Sequence, residues 1–200
     1  CLLGSPGQAD PSSCDSQATT QAPSTSPVLI TEIMYNPPNA FTPNEKPYNN
    51  SDWFEFVEFY NPSQSASVSL NKYSFQDGIT FTFGAVSLGP GQYGVIVADI
   101  NAFKARYGNN ANILGSYGSS GTSLSNKGES LTLLNDKNVI QFAIDFQDSA
   151  PWPVEADGSG NSLVLIAGYS SDSIASHWRK STCALGSPSY EDPQSCFSTL

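Results

Sequence analysis

Apolar residues along this chain gather in short runs bounded by turn formers, and the pattern starts at Pro27-Val28. "VLITEIMY" (28–35) alternates and stops at Asn36-Pro37-Pro38. A polar loop, 39–52, follows. "WFEFVEFY" (53–60) is nearly all apolar and aromatic, which predicts a central strand covered on both faces. Its end at Asn61-Pro62 fits, because proline cannot continue a hydrogen-bond ladder. "SVSLNKYSF" (67–75), "ITFTF" (79–83) and "YGVIVAD" (93–99) have strand composition and turn-type borders. Leu88-Gly89-Pro90-Gly91 is a turn before the last of these. "ESLTLLND" (129–136) and "VIQFAIDF" (139–146) predict a hairpin around Asp136-Lys137-Asn138. "SLVLI" (162–166) and "SHWRKS" (176–181) complete the strands.

Only "INAFKARYG" (100–108) has helical character. Phe103 and Tyr107 lie four apart on one face, and Gly108 is a natural stop. Short strands at intervals of roughly 8–15 residues, with one short helix, predict an all-β sandwich rather than a parallel α/β sheet. The expected core is Ile30, Ile33, Val57, Phe59, Leu70, Val95, Val97, Leu131, Leu133, Phe142, Ile144, Leu163 and Leu165.

Composition changes this picture at the ends. Residues 1–27 hold nine Ser/Thr, four Pro and no aromatic residue. Such a stretch buries too little apolar area to offset its ordering entropy, so it reads as a linker or stalk. The expected domain is 28–192, with 193–200 as a tail. Cys1 and Cys14, then Cys183 and Cys196, punctuate the two ends and none lies between. That arrangement predicts disulfides and an oxidising compartment, with three connectivities open. Cys1 at the first position also suits a bacterial lipid anchor. Asn49-Asn50-Ser51 is a glycosylation sequon if the source is a eukaryote. No signal peptide is apparent, and no apolar run reaches the roughly 20 residues of a membrane span. The formal net charge of −10, with 8 Lys and Arg, opposes binding to phosphate backbones and anionic lipid.

Candidate chemistry is sparse. His177 is the one histidine, so any Ser-His-Asp or Cys-His arrangement would have to use it, and it reads as a surface or packing residue. A structural zinc site needs about four nitrogen or sulfur ligands, which this chain does not offer away from its ends. Glu55 and Glu58 are three apart and on a strand point to opposite faces, so they form no glycosidase pair alone. Glu32 or Asp52 could join one of them across strands. The preferred reading has Glu58 cap a sheet edge or accept backbone and tyrosine hydrogen bonds instead. "DGSGN" (157–161) reads first as a strand-entry turn and second as a calcium loop, for which Asp145, Asp148 and Asp157 are the carboxylates to hand. Phe41, Tyr48 and Trp53 sit together in and beside the 39–52 loop and are the candidates for sugar stacking.

Seven stretches, in order, resemble the lamin tail domain family, an immunoglobulin-like sandwich, in its bacterial secreted and surface branch. They are "ITEIMYNP" (30–37), "EFVEFYNPS" (55–63), "VSLNKYSFQDG" (68–78), "LGPGQYGVIVAD" (88–99), "SLSNKGESLTLLND" (123–136), "PWPVEADGSGNSL" (151–163) and "HWRKST" (177–182). "GSPSYED" (186–192) is similar to the family's closing turn. Phe56 stands where the family usually carries Trp, the 39–52 insertion is long, and the terminal cysteines are not general to the family. The resemblance implies a non-catalytic extracellular module for adhesion or structural assembly, without a cofactor. Its partners would be an extracellular protein, a glycan or copies of itself. The alternatives are a carbohydrate-binding module or an accessory domain of a secreted hydrolase.

Overall fold

The computed structural model describes residues 26–196, so Cys1, Cys14 and most of the Ser/Thr/Pro-rich segment lie outside the described residues. Eleven strands and one α-helix are found there: β1 (Leu29–Met34), β2 (Phe56–Tyr60), β3 (Val68–Ser69), β4 (Ser74–Asp77), β5 (Ser87–Leu88), β6 (Tyr93–Val97), α1 (Ile100–Tyr107), β7 (Ile113–Ser116), β8 (Glu129–Leu134), β9 (Ile140–Phe146), β10 (Leu163–Leu165) and β11 (Trp178–Lys180). One sheet runs β11-β10-β1-β2-β6-β7, a second runs β4-β8-β9, and β3 pairs with β5. The architecture is the expected immunoglobulin-like all-β sandwich.

Alternation on the central strands explains why two layers of cover are needed. Ile33, Val57, Phe59 and Ile96 face the second sheet and join Leu131, Leu133, Phe142 and Ile144 in the main core. Met34, Phe56, Val95 and Val97 point the other way and form a second cluster with Phe103. All thirteen expected core residues are buried, but Val95 and Val97 belong to this second cluster. Helix α1 supplies its cover. Asp99 caps the helix by accepting from the amides of Asn101 and Ala102, each at 2.8 Å. Phe103 and Tyr107 then meet the Phe56 ring edge-on, at 6.0 and 5.6 Å. The ring that replaces the family's Trp is therefore the one the helix packs on. Because α1 crosses over between them, β6 and β7 run parallel.

Several elements differ from the sequence expectation. Trp53 and Phe54 belong to a 3-10 turn, Ser51–Phe54, and not to β2. Asn50 caps that turn by accepting from the Asp52 amide, and this competes with strand pairing. The 67–75 run is two strands, broken where Lys72 takes a φ of 64°. "ITFTF" carries a single bridge, Ser74 to Thr82. β5 and β7 are additional strands.

The Phe59 ring is fully buried and packs edge-on against Phe83 at 5.3 Å. Phe59→Ala should cost about 3–5 kcal/mol in a urea melt followed by fluorescence or circular dichroism. A loss under about 1 kcal/mol would contradict the packing of β2.

Candidate functional site

The outer face of the six-stranded sheet has two halves. Helix α1 covers one. The other carries Glu32 on β1 and Glu58 on β2, which are directly opposed in register. Each is 1 % exposed. Sequence reasoning allowed for Glu32 joining Glu58 across strands, and the register brings the two together.

What covers them is a C-terminal strap, residues 185–192. The Ser187 amide donates to Glu32 at 3.0 and 3.2 Å, and the Ser187 hydroxyl donates at 3.1 Å. Ser162 Oγ donates to Glu32 from β10's entry. Glu58 accepts from Thr31 Oγ1 at 2.6 Å and from the Ser189 amide at 2.7 Å. Gly186 lies so close to the Glu32 carboxylate that a Cβ there would collide with it, and its φ of 77° also favours glycine. A disulfide joins Cys183 to Cys196, with Cα atoms 5.1 Å apart, and so closes the loop that contains the strap. Of the open connectivities, this is the nearest-neighbour one. Asp192 anchors the strap's far end on Arg179 Nη1 at 2.6 Å. Beside the strap, a cleft of about 430 Å³ reaches both glutamates between Tyr60, Tyr93, Val164 and Tyr169.

Burial governs the protonation of these acids. It pushes the Glu32 carboxyl up to about 7, against the opposing effect of the Ser162 and Ser187 hydrogen bonds. Glu58 is raised well above the carboxylate range by burial and then by the charge of Glu32. Glu55, on the opposite side of β2's entry, is also buried. It accepts from Tyr117 Oη at 3.0 Å and the Leu124 amide at 2.8 Å, and burial pushes it up to about 9. Glu55 accepts from a tyrosine hydroxyl, while Glu58 accepts from the Ser189 and Tyr190 amides. Such groups hold protons and bind the fold together. Every donor to Glu32 and Glu58 named above is neutral.

The aromatic trio lies elsewhere. Phe41 is 59 % and Trp53 is 38 % exposed. Tyr48 is half-buried and meets the Trp53 ring edge-on at 6.3 Å. The organiser of this loop is Arg106 on α1, which sequence reasoning missed. Its side chain is fully buried. Its Nη2 donates to Pro38 O, Asn39 O and Glu45 Oε2, and its guanidinium lies 3.5 Å from the Phe54 ring centre. Asn49, the sequon residue, is exposed and follows Tyr48 in sequence.

The three aspartates have separate partners. Asp145 accepts from Gln147, Asp148 pairs with Lys127 at 3.3 Å, and Asp157 accepts from Asn36 Nδ2 at 2.6 Å. Among the described residues, no group of three or more His, Cys, Asp or Glu is arranged to hold a metal ion. Asp157 closes a 3-10 turn, Val154–Ala156, and Asn161 donates to Ser181 O at 2.9 Å. These bonds tie the turn to Asn36 and Ser181. His177 Nδ1 lies 2.9 Å from Asp172 Oδ1, and the ring stacks on Tyr169.

Two expected outcomes follow from this geometry. Asp157→Asn keeps an acceptor for Asn36 and should leave the melting temperature nearly unchanged. Gly158→Val should lower it clearly, because Gly158 has a φ of 73°. A chelator-sensitive melt in the wild type that disappears in Asp157→Asn would reverse this and make the turn a calcium site. The raised acids set the pH dependence. As pH climbs, the unfolded chain releases protons that the folded chain keeps. The contribution of these acids is therefore full below about 4.5 and is lost up to about 7 for Glu32 and about 9 for Glu55. The melting temperature at pH 8 should lie at least about 5 °C below that at pH 5, given roughly 2–4 °C per kcal/mol for a domain of this size. A Glu32→Gln/Glu55→Gln/Glu58→Gln triple variant should remove most of the difference.

The comparisons with known proteins agree with the architecture. The model of the Lamin Tail Domain family matches residues 21–146, more than half of the chain and all of β1 through β9. β10, β11 and the strap lie past the matched span. No curated protein matches the chain at a level that would make it a relative. Ordered strands, a two-layer sandwich and a family match of this length lead to one assignment: the chain belongs to the lamin tail domain family.

Proposed function

We propose that this chain is a non-catalytic extracellular module that adheres to a partner or spaces neighbouring domains at a cell or matrix surface. In this reading it stands with the secreted and surface-attached bacterial members of its family. The observation that carries the proposal is the disulfide-closed strap. A covalent closure of this kind persists in oxidising compartments. The acidic, lysine-poor composition supports a protein or glycan partner over nucleic acid or anionic lipid. Among the described residues, no helix is long and apolar enough to cross a membrane, which is compatible with this placement. The chain divides into a stalk of 1–27, a sandwich of 28–192 and a tail of 193–200, with Cys1 and Cys14 oxidised like Cys183 and Cys196. The module works without a cofactor, calcium at Asp145, Asp148 and Asp157 being the alternative, and copies of the chain are the third class of partner.

A second reading, carbohydrate recognition, is favoured by the exposed Phe41 and Trp53 rings above the Arg106-fixed loop. Exposed rings on a fixed backbone stack on sugars at little entropic cost. The accessory-domain reading would move the activity to a neighbouring hydrolase.

The test is binding to glycan arrays and to immobilised matrix proteins, with calcium and with chelator, for wild type and Trp53→Ala. A protein ligand held equally well in chelator and in Trp53→Ala is the expected result. A glycan ligand weakened about tenfold or more in Trp53→Ala, as loss of a central aromatic contact implies, would move the function to sugar recognition.

A further inference from the structure

We propose that residues 185–192 form a pH-responsive strap, seated while the opposed Glu32 and Glu58 side chains hold a proton between them and lifted when they lose it. Throughout, the Cys183–Cys196 disulfide keeps the lifted strap tethered.

Hydroxyls and amides surround the pair. β1 contributes Thr31, β10 contributes Ser162, and the strap contributes the Ser187 amide and hydroxyl and the Ser189 amide. The charged and titratable groups facing the pair are few. On the strap they are Glu191 and Asp192, on β11 Arg179, on β2 Tyr60, on β6 Tyr93, past β10 Tyr169 and on α1 Tyr107. Among the described residues, no Lys, Arg or His forms an ion pair with Glu32 or Glu58. Arg179 is committed to Asp192, and Arg106, behind Tyr107, to Glu45. Two ionised carboxylates opposed on adjacent strands and closed off from water repel each other without compensation. A shared proton removes most of that cost.

The relief available is hydration, and the strap is the wall that moves most cheaply. β1 and β2 are locked in a six-stranded ladder. The strap pairs with no strand. Its holds are the two glutamates, the Tyr107 hydroxyl on Leu185 O at 3.1 Å, Ser189 Oγ accepting from the Asn112 amide at 2.9 Å, the Asp192 contacts and a Leu185 amide bond to Gly160 O. Leu185 and Ser189 also occupy φ values of 71° and 74°, where side-chain-bearing residues are uncommon. The cleft beside Val164 and Tyr169 borders both carboxylates, so a lifted strap opens them to it. Proton loss therefore weakens the seat at its centre, while the covalent closure limits how far the segment travels.

Amide hydrogen exchange with the disulfide intact tests this. Protection factors, which correct for the intrinsic pH dependence of exchange, are measured from pH 5 to pH 9 for Ser187, Ser189 and the β2 amides. The strap amides should lose protection by at least about tenfold, the effect of one unit of proton affinity, while β2 holds. Glu58→Gln keeps an acceptor for Ser189 and removes one charge, so its strap should stay protected across the range. Glu32→Gln is the second variant if the first fails to fold. Constant protection in the wild type, an equal loss in the folded variant, or a loss shared by β2 would each overturn the proposal. Its outcome is independent of which partner the module binds.

Discussion

Everything in this molecule depends on burying the central strand pair, β1 and β2, on both faces. A strand with one wet face needs one cover. "FEFVEFY" offers Phe56, Val57 and Phe59 with acids between them, and both faces must leave water. The second sheet covers the inner face. The outer face has no sheet to meet, so it takes two unrelated covers, a helix over its apolar half and an irregular segment over its acidic half. The sandwich core thus occupies the inner face, while the helix and the strap cover the outer one.

The acidic half shows how polarity is accommodated at a buried sheet surface. A carboxylate withdrawn from water costs several kcal/mol unless it is neutralised or well bonded. Glu32 and Glu58 receive hydroxyl and amide donors but no cation. The arrangement favours the protonated pair and ties the far end of the chain to its first two strands. Glu45 received the other solution. Burial alone would raise it, but the Arg106 hydrogen bond, the Phe41 amide and the Arg106 charge hold it below the ordinary carboxylate range. Two buried acids on one protein therefore sit on opposite sides of their usual proton affinity, according to whether an arginine was within reach.

How much of this was legible in the sequence follows the range of each interaction. Strand positions, the helix with its Phe103–Tyr107 face and the family rest on local pattern, and they could be read directly. The 3-10 turn at Ser51–Phe54 was hidden because its aromatic residues read as strand, while a single Asn50 cap decides otherwise. The break at Lys72 and the short β5 and β7 carry too few residues for periodicity to register. Arg106 is one cation on a short helix, and its partners lie more than 60 residues back. The strap contacts join residues 131 and 155 apart. Nothing local marks Ser187 or Ser189 as partners of buried glutamates, and only the register of β1 on β2 puts those glutamates together.

The closure between Cys183 and Cys196 also determines how tension would travel. A pull applied beyond Cys196 passes through the sulfur bridge to Cys183 and directly into β11, bypassing the backbone from 184 to 195. The load then falls on the ladder of β11 against β10 and β10 against β1. The segment over the glutamates carries none of it. In a protein stretched between two attachments, that segment would keep its slack and its contacts until the edge strand itself gave way.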